Sequence, residues 1–137
     1  MTVENRVKVV KKLIVKSEKN FEEANLLFEK GFYEAAISRA YYSMFHLAQA
    51  VLATKDIKRR KHSGVISALG EHCKPGLLPD WLTKPLNKVF EERQVADYEY
   101  ETSKNKEETY EIINQAKEFV NEIKPYLNNW LKDTNPK

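Results

Sequence analysis

The stretch Tyr33-Glu34-Ala35-Ala36-Ile37-Ser38-Arg39-Ala40-Tyr41-Tyr42-Ser43-Met44-Phe45-His46, continuing through Leu47-Ala48-Gln49-Ala50-Val51-Leu52-Ala53, decides how this chain is read. It is rich in alanine, the strongest helix former and a residue that permits close packing. At about 100° per residue, Ile37, Tyr41, Met44, Ala48 and Leu52 gather on one side of a helix. Arg39, Tyr42, Ser43 and His46 gather on the other. The stretch therefore predicts a helix with an apolar face and a narrow polar stripe of chemically capable side chains.

Upstream, Val7, Val10, Leu13, Ile14, Phe21, Ala24, Leu27 and Phe28 recur at helical spacing from about Val3 to Lys30. Gly31 stops that segment, as a glycine just past a helix end does. Downstream comes a basic connector, Lys55 to Lys61, opposed only by Asp56. A short helix is expected from Ser63, a candidate cap, to Cys73. Pro75, Gly76 and Pro79 break the chain. A helix follows over Trp81 to Tyr98, with Pro85 near its start and Trp81–Thr83 as a separate turn. Tyr100–Lys106 reads as a polar loop. The last helix is expected over Glu107 to Leu131, with Pro125 as a kink or an interruption, and Asp133–Lys137 as a frayed tail. No segment reads as a strand. The fold class is all-α, an antiparallel helical bundle.

Composition narrows the function classes. At 137 residues the chain fits one domain spanning 1–137. With 42% hydrophobic and 31% charged residues it is neither a disordered tail nor a membrane protein. Its longest mostly apolar run, Phe45 to Ala53, is far too short to cross a bilayer. One cysteine, Cys73, excludes an internal disulfide framework and a cysteine-rich zinc site. The cytoplasm is the expected compartment, and no membrane partner is expected. A net charge of +3 permits contact with nucleic acid without requiring it.

Three places offer chemistry. In the stripe Arg39, Tyr42, Ser43, His46, a guanidinium can grip a phosphate with two parallel hydrogen bonds, and an imidazole can move protons near neutral pH. The competing role is an ion pair that only holds the bundle. In Glu91-Glu92-Arg93-Gln94-Val95-Ala96-Asp97-Tyr98-Glu99-Tyr100, Arg93 and Asp97 are four apart on one helix face. Alone that is an ordinary surface pair worth a few tenths of a kcal/mol. The third place is the basic connector with His62 at the start of a helix, where backbone N–H groups attract anions. Either it is a solvated loop or it contacts phosphate. No Glu-x-x-His, His-Glu-x-x-His, phosphate-binding loop or Gly-x-Gly-x-x-Gly occurs, and the three histidines lack metal-ligand spacing. No metal and no cofactor are expected. Trp81 and Trp130 are candidates for an interface.

The run Tyr33–His46 resembles the second-helix signature of HEPN domains. Lys61-His62-Ser63-Gly64-Val65 and Arg93-Gln94-Val95-Ala96-Asp97-Tyr98 follow in the order seen in a little-characterised prokaryotic subfamily. The resemblance covers about residues 5 to 128. It implies a four-to-five-helix bundle, a homodimer, and in many members a toxin–antitoxin pairing with a minimal nucleotidyltransferase. Active members are metal-independent ribonucleases carrying Arg-x(4–6)-His, a spacing that Arg39 and His46 satisfy. In those enzymes the motif lies on a later helix, whereas here the later helix carries Arg93, Asp97 and Tyr98 and no histidine. Ala48 stands where a His-x-Tyr pattern would place a modifiable tyrosine, for which Tyr98 or Tyr100 is the substitute. The resemblance thus assigns Arg39, His46 and Arg93 to catalysis, and Tyr42, His62, Asp97 and Tyr98 to binding RNA or a nucleotide in a dimer cleft. The alternative is a non-enzymatic module that binds nucleotide or a nucleotidyltransferase partner.

Overall fold

The first helix, α1 (Val3–Glu29), opens with the Thr2 hydroxyl accepting from the Asn5 N–H. It ends in a Schellman motif. Gly31, at φ 83°, donates to Phe28 O, and Phe32 donates to Leu27 O. Helix α2 (Tyr33–Thr54) closes the same way, but with Asp56 at φ 60° in the glycine position. Asp56 N–H reaches Ala53 O and Ile57 N–H reaches Leu52 O. Helix α3 covers His62–His72, α4 Thr83–Tyr98 and α5 Lys106–Thr134, with a 3-10 turn at Asp80–Leu82. This computed structural model describes residues 1–72, 78–98 and 104–134, and for Asp97 and Tyr98 the backbone only. No strand occurs among the described residues, as expected of an all-α chain.

Several expected boundaries move. Ser63 is not a cap, because His62 already begins α3 and Val65 N–H bonds to Lys61 O. The separate turn before α4 is present, and Pro85 sits in the first turn of α4, where its missing N–H costs nothing. Helix α5 starts one residue early because Asn105 and Glu108 form a reciprocal capping box. Asn105 Oδ1 accepts from Glu108 N–H at 2.8 Å, and Glu108 Oε1 accepts from Asn105 N–H at 3.2 Å. It runs through Pro125 to Thr134, so the expected interruption and the frayed start of the tail are corrected to helix. Cys73, Pro75, Gly76 and Tyr100 lie outside the described residues.

Contacts along the helices set the topology. From Arg6–Thr54 through Ser17–Ser43 to Phe28–Tyr33, α1 and α2 run antiparallel. Lys124–Glu18 and Tyr110–Phe28 run α5 against α1. Phe90–Tyr41 and Arg93–Ser38 run α4 against α2. Helix α2 packs on α1, α5, α4 and α3, whereas α1 and α4 have no substantial packing on each other. Lys104 binds Glu92 and stands 3.8 Å from Glu108, which ties the start of α5 to α4.

The expected two-faced α2 is therefore corrected. It is the central helix, buried around most of its circumference from Ala36 to Thr54. Ser43, placed in the polar stripe from spacing, is fully buried. Its hydroxyl donates to Ala40 O at 2.6 Å, and its carbonyl accepts from the buried Ser17 hydroxyl at 2.6 Å. What remains open is a thinner line, Ala35, Arg39, Tyr42, His46 and Gln49, facing the gap between α1 and α4. Met44, Leu47, Val51, Leu86, Phe119, Ile123 and Leu127 fill the interior. Fully burying each such side chain contributes about 1.5–3 kcal/mol.

A candidate nucleic-acid site on the central helix

Arg39 lies at the surface of α2, with half of its side chain exposed and its Nε 4.0 Å from Glu23 Oε1 on α1. At that distance and exposure the pair leaves the guanidinium available to an anion. The alternative expectation of a buried structural pair is not what the helix presents.

His46 is half-buried one helical turn beyond Tyr42, and their rings stack at 5.9 Å. Its Nδ1 lies 2.9 Å from Asn20 Oδ1. The orientation of the Asn20 amide follows from its second bond, Nδ2 donating to Glu23 Oε1 at 3.3 Å. Asn20 Oδ1 can only accept, so the proton of neutral His46 sits on Nδ1 and its Nε2 carries the lone pair. Burial, assisted by the charge of Lys16, lowers the His46 pKa below its ordinary value. The imidazole is thus neutral at pH 7 and held as a proton acceptor. Glu23 joins Arg39 and Asn20, so one carboxylate on α1 supports both ends of the pair.

His62 receives the opposite treatment. Its ring lies flat on Phe90, with centroids 3.7 Å apart. Nε2 is 3.2 Å from Asn87 Oδ1, and the Asn87 amide is oriented by Nδ2 donating to Glu91 Oε1 at 3.3 Å. The proton therefore sits on Nε2, and Nδ1 accepts from the Tyr41 hydroxyl at 2.9 Å. Burial, with Tyr42 alongside, pushes the Tyr41 pKa well above that of an ordinary phenol, so Tyr41 remains a donor. Burial also lowers the His62 pKa, against smaller opposing effects from Asn87 and Glu91. Both ring nitrogens of His62 are engaged, so it locks α3 onto α2 and α4.

Arg93 of α4 is half-buried. Its guanidinium carbon stands 5.1 Å from the Tyr42 ring centroid and 5.6 Å from that of Tyr41. Its Nε donates to Ser38 Oγ at 3.4 Å. Tyr42 is thus the shared neighbour of Arg93 and His46. Asp97 lies in the last turn of α4 and Tyr98 at its end, and their side chains lie outside the described residues. The structure therefore brings Arg93, Tyr42 and His46 together, with Arg39 one turn before Tyr42 on the same line. His62 adjoins the group through Tyr41.

Helical spacing and motifs do not mark Asn20, Glu23, Ser38, Asn87 and Phe90 as residues of the site. The α1–α2 hairpin register, with Glu23 opposite Arg39 and Asn20 opposite His46, is the signal that finds the first two. Among the described residues no three His, Cys, Asp or Glu gather to hold a metal ion, and no helix is long and apolar enough to cross a membrane.

Comparison with known proteins gives the family. The family model for the HEPN domain matches residues 10–126. A protein of Methanocaldococcus jannaschii named "Putative toxin MJ0142" is 39% identical over 129 residues, covering 92% of this chain and 88% of that protein. A second from the same organism, "Putative toxin MJ0605", is 36% identical over 119 residues, 86% of this chain and 88% of that protein. A UPF0332 protein of Archaeoglobus fulgidus is 35% identical over 117 residues, 84% of this chain and 92% of that protein. With a family match across most of its length and an all-helical fold around α2, this chain belongs to the HEPN domain family.

Proposed function

We propose that this protein is a toxin-like HEPN ribonuclease that binds single-stranded RNA on the open line of α2 and cleaves it without a metal ion. The observation that carries the reading is His46: a neutral imidazole whose Nδ1–H is committed to Asn20, beside an aromatic ring that also carries Arg93. The toxin names of two relatives support it. Arg39 and Arg93 hold the scissile phosphate and stabilise the charge that builds on its oxygens. His46 Nε2 takes the proton from the adjacent RNA 2′-hydroxyl, whose oxygen attacks phosphorus. The bond to the 5′-oxygen breaks, that oxygen takes a proton from solvent, and a 2′,3′-cyclic phosphate remains. Tyr42 offers a ring face to a base and a hydroxyl to the phosphate, and His62 orders the wall behind it. The working unit is a homodimer, held in check by a minimal nucleotidyltransferase partner.

The test is incubation of the purified protein with a mixed RNA pool in excess chelator, with the product ends identified. Cyclic phosphate ends are expected, with activity reduced at least a hundredfold in His46→Ala and at least tenfold in Arg39→Ala and Arg93→Ala. Undiminished cleavage in all three variants rules out the assigned mechanism. Binding of RNA without cleavage by the wild-type protein selects the non-enzymatic module instead. Light scattering on the same sample reads the dimer.

A further inference from the structure

The basic connector is not absorbed by the reading above. Lys58, Arg59 and Arg60 fold back over α1 and α2, closing a cavity of about 360 Å3 whose other cationic side chains are Lys12 and Lys16. Its apolar floor includes Val9, Leu13 and Ile57. None of its lining residues is acidic, and among the described residues none of these five cations is in an ion pair. The connector is held in this shape. Gln49 Nε2 donates to Arg59 O at 2.9 Å, Arg59 donates to Lys58 O at 2.9 Å, and the Met1 ammonium group reaches Asp56 at 3.3 Å. Five like charges converging on one cavity repel one another, an arrangement that an anion relieves.

The cavity lies next to the candidate site along both helices. Lys16 lies one turn before Asn20 on α1, and Gln49 one turn after His46 on α2. A strand lying along the open line of α2 past His46 runs directly onto it. A cationic rim over an apolar floor matches a unit with a charged phosphate and a flat base. A purely acidic peptide would leave the floor unused.

We propose that this cavity is a second subsite that takes a phosphate and its attached base from the same RNA strand, on the His46 side of the scissile linkage. The inference rests on the ribonuclease reading for the identity of the strand, and its test does not depend on cleavage. The probe is a fluorescent twelve-nucleotide RNA carrying 2′-O-methyl groups throughout, which lacks the nucleophile. Its affinity is measured by anisotropy in chelator across a salt series. Lys58→Ala/Arg60→Ala removes two exposed rim charges. Lys8→Ala/Lys11→Ala removes two charges from α1 that line a different hollow, beside Thr134.

The rim variant is expected to lose affinity about tenfold or more and to flatten the log–log salt slope by about 0.7, the value for one phosphate contact on a single strand. The control pair is expected to change affinity less than threefold. On cleavable RNA the rim variant is expected to raise KM and leave kcat unchanged. Equal losses in the two variants, no loss in the rim variant, or no binding by the wild-type protein each overturn the subsite. A wild-type protein that binds the probe through this rim and yet cleaves no RNA removes the ribonuclease reading and leaves the subsite standing.

Discussion

Two histidines of similar burial are built for different work by the partners of their ring nitrogens. Each faces an asparagine whose amide is turned by a glutamate, Glu23–Asn20–His46 and Glu91–Asn87–His62. His62 also accepts from Tyr41, which leaves it no lone pair, whereas His46 keeps Nε2. On the proposed ribonuclease mechanism, the expected outcome for Asn20→Ala is a fall in kcat of roughly tenfold or more, because nothing then fixes which nitrogen carries the proton. Asn20→Asp accepts the same Nδ1–H and restores much of the rate. Its charge raises the His46 pKa, so the acid limb of the pH–rate profile moves to higher pH. Carbon-detected NMR titration of the His46 ring measures that shift apart from the kinetics. An Asn20→Ala protein with wild-type kcat removes Asn20 from the mechanism.

The helix ends show how element-level chemistry shapes the site. Both α1 and α2 finish in a left-handed residue, Gly31 in one and Asp56 in the other. The second is less favourable, since a side chain in that conformation costs about 1–2 kcal/mol. Asp56→Gly is therefore expected to gain up to about 1 kcal/mol, after losing an exposed pair with the Met1 amine worth about 0–1 kcal/mol. Gly31→Ala is expected to lose about 1 kcal/mol, although open space surrounds its Cβ position, because the cost lies in the backbone. Urea denaturation of the three proteins reads both signs. Stabilisation by Gly31→Ala is the result that contradicts the account. In the sequence the charge run after Ala53 marks the end of α2, and Gly31 marks the end of α1. Asp56 as a helix stop left no comparable signal, because aspartate seldom takes that role.

For the whole molecule, the lowered pKa values of His46 and His62 link folding to pH. In the unfolded chain both imidazoles titrate near the ordinary value of 6.5, and in the folded protein below it. The folded state thus binds fewer protons in that range, and stability rises with pH there. The contribution of these two rings is complete above about pH 6.5 and is lost as pH falls through 6.5 toward the lowered values. The melting temperature is expected to be lower at pH 5.5 than at pH 7.5, and His46→Gln to shrink the difference. A melting temperature independent of pH over that interval contradicts the burial of both rings.

Periodicity alone determined that this chain is helical, roughly where its helices begin and end, and that Arg39, Tyr42 and His46 share a helix side. Those are properties of nearest neighbours along the chain, set by about 3.6 residues per turn and by local caps. The ordered motifs indicated the family, which the match across residues 10–126 shows. The packing order belonged to the tertiary structure. Spacing gave α2 one buried face, but four other helices surround it, so Ser43 went into the core. Spacing could not distinguish His46 from His62, because the proton on each ring is placed by residues 21 to 26 positions away. Nor could it show that the connector cations close on one cavity beside His46, since only the α1–α2 hairpin brings Lys12 and Lys16 to face Lys58 and Arg60. Charge and hydrogen bonding act through space, and the sequence orders only what is adjacent along the backbone.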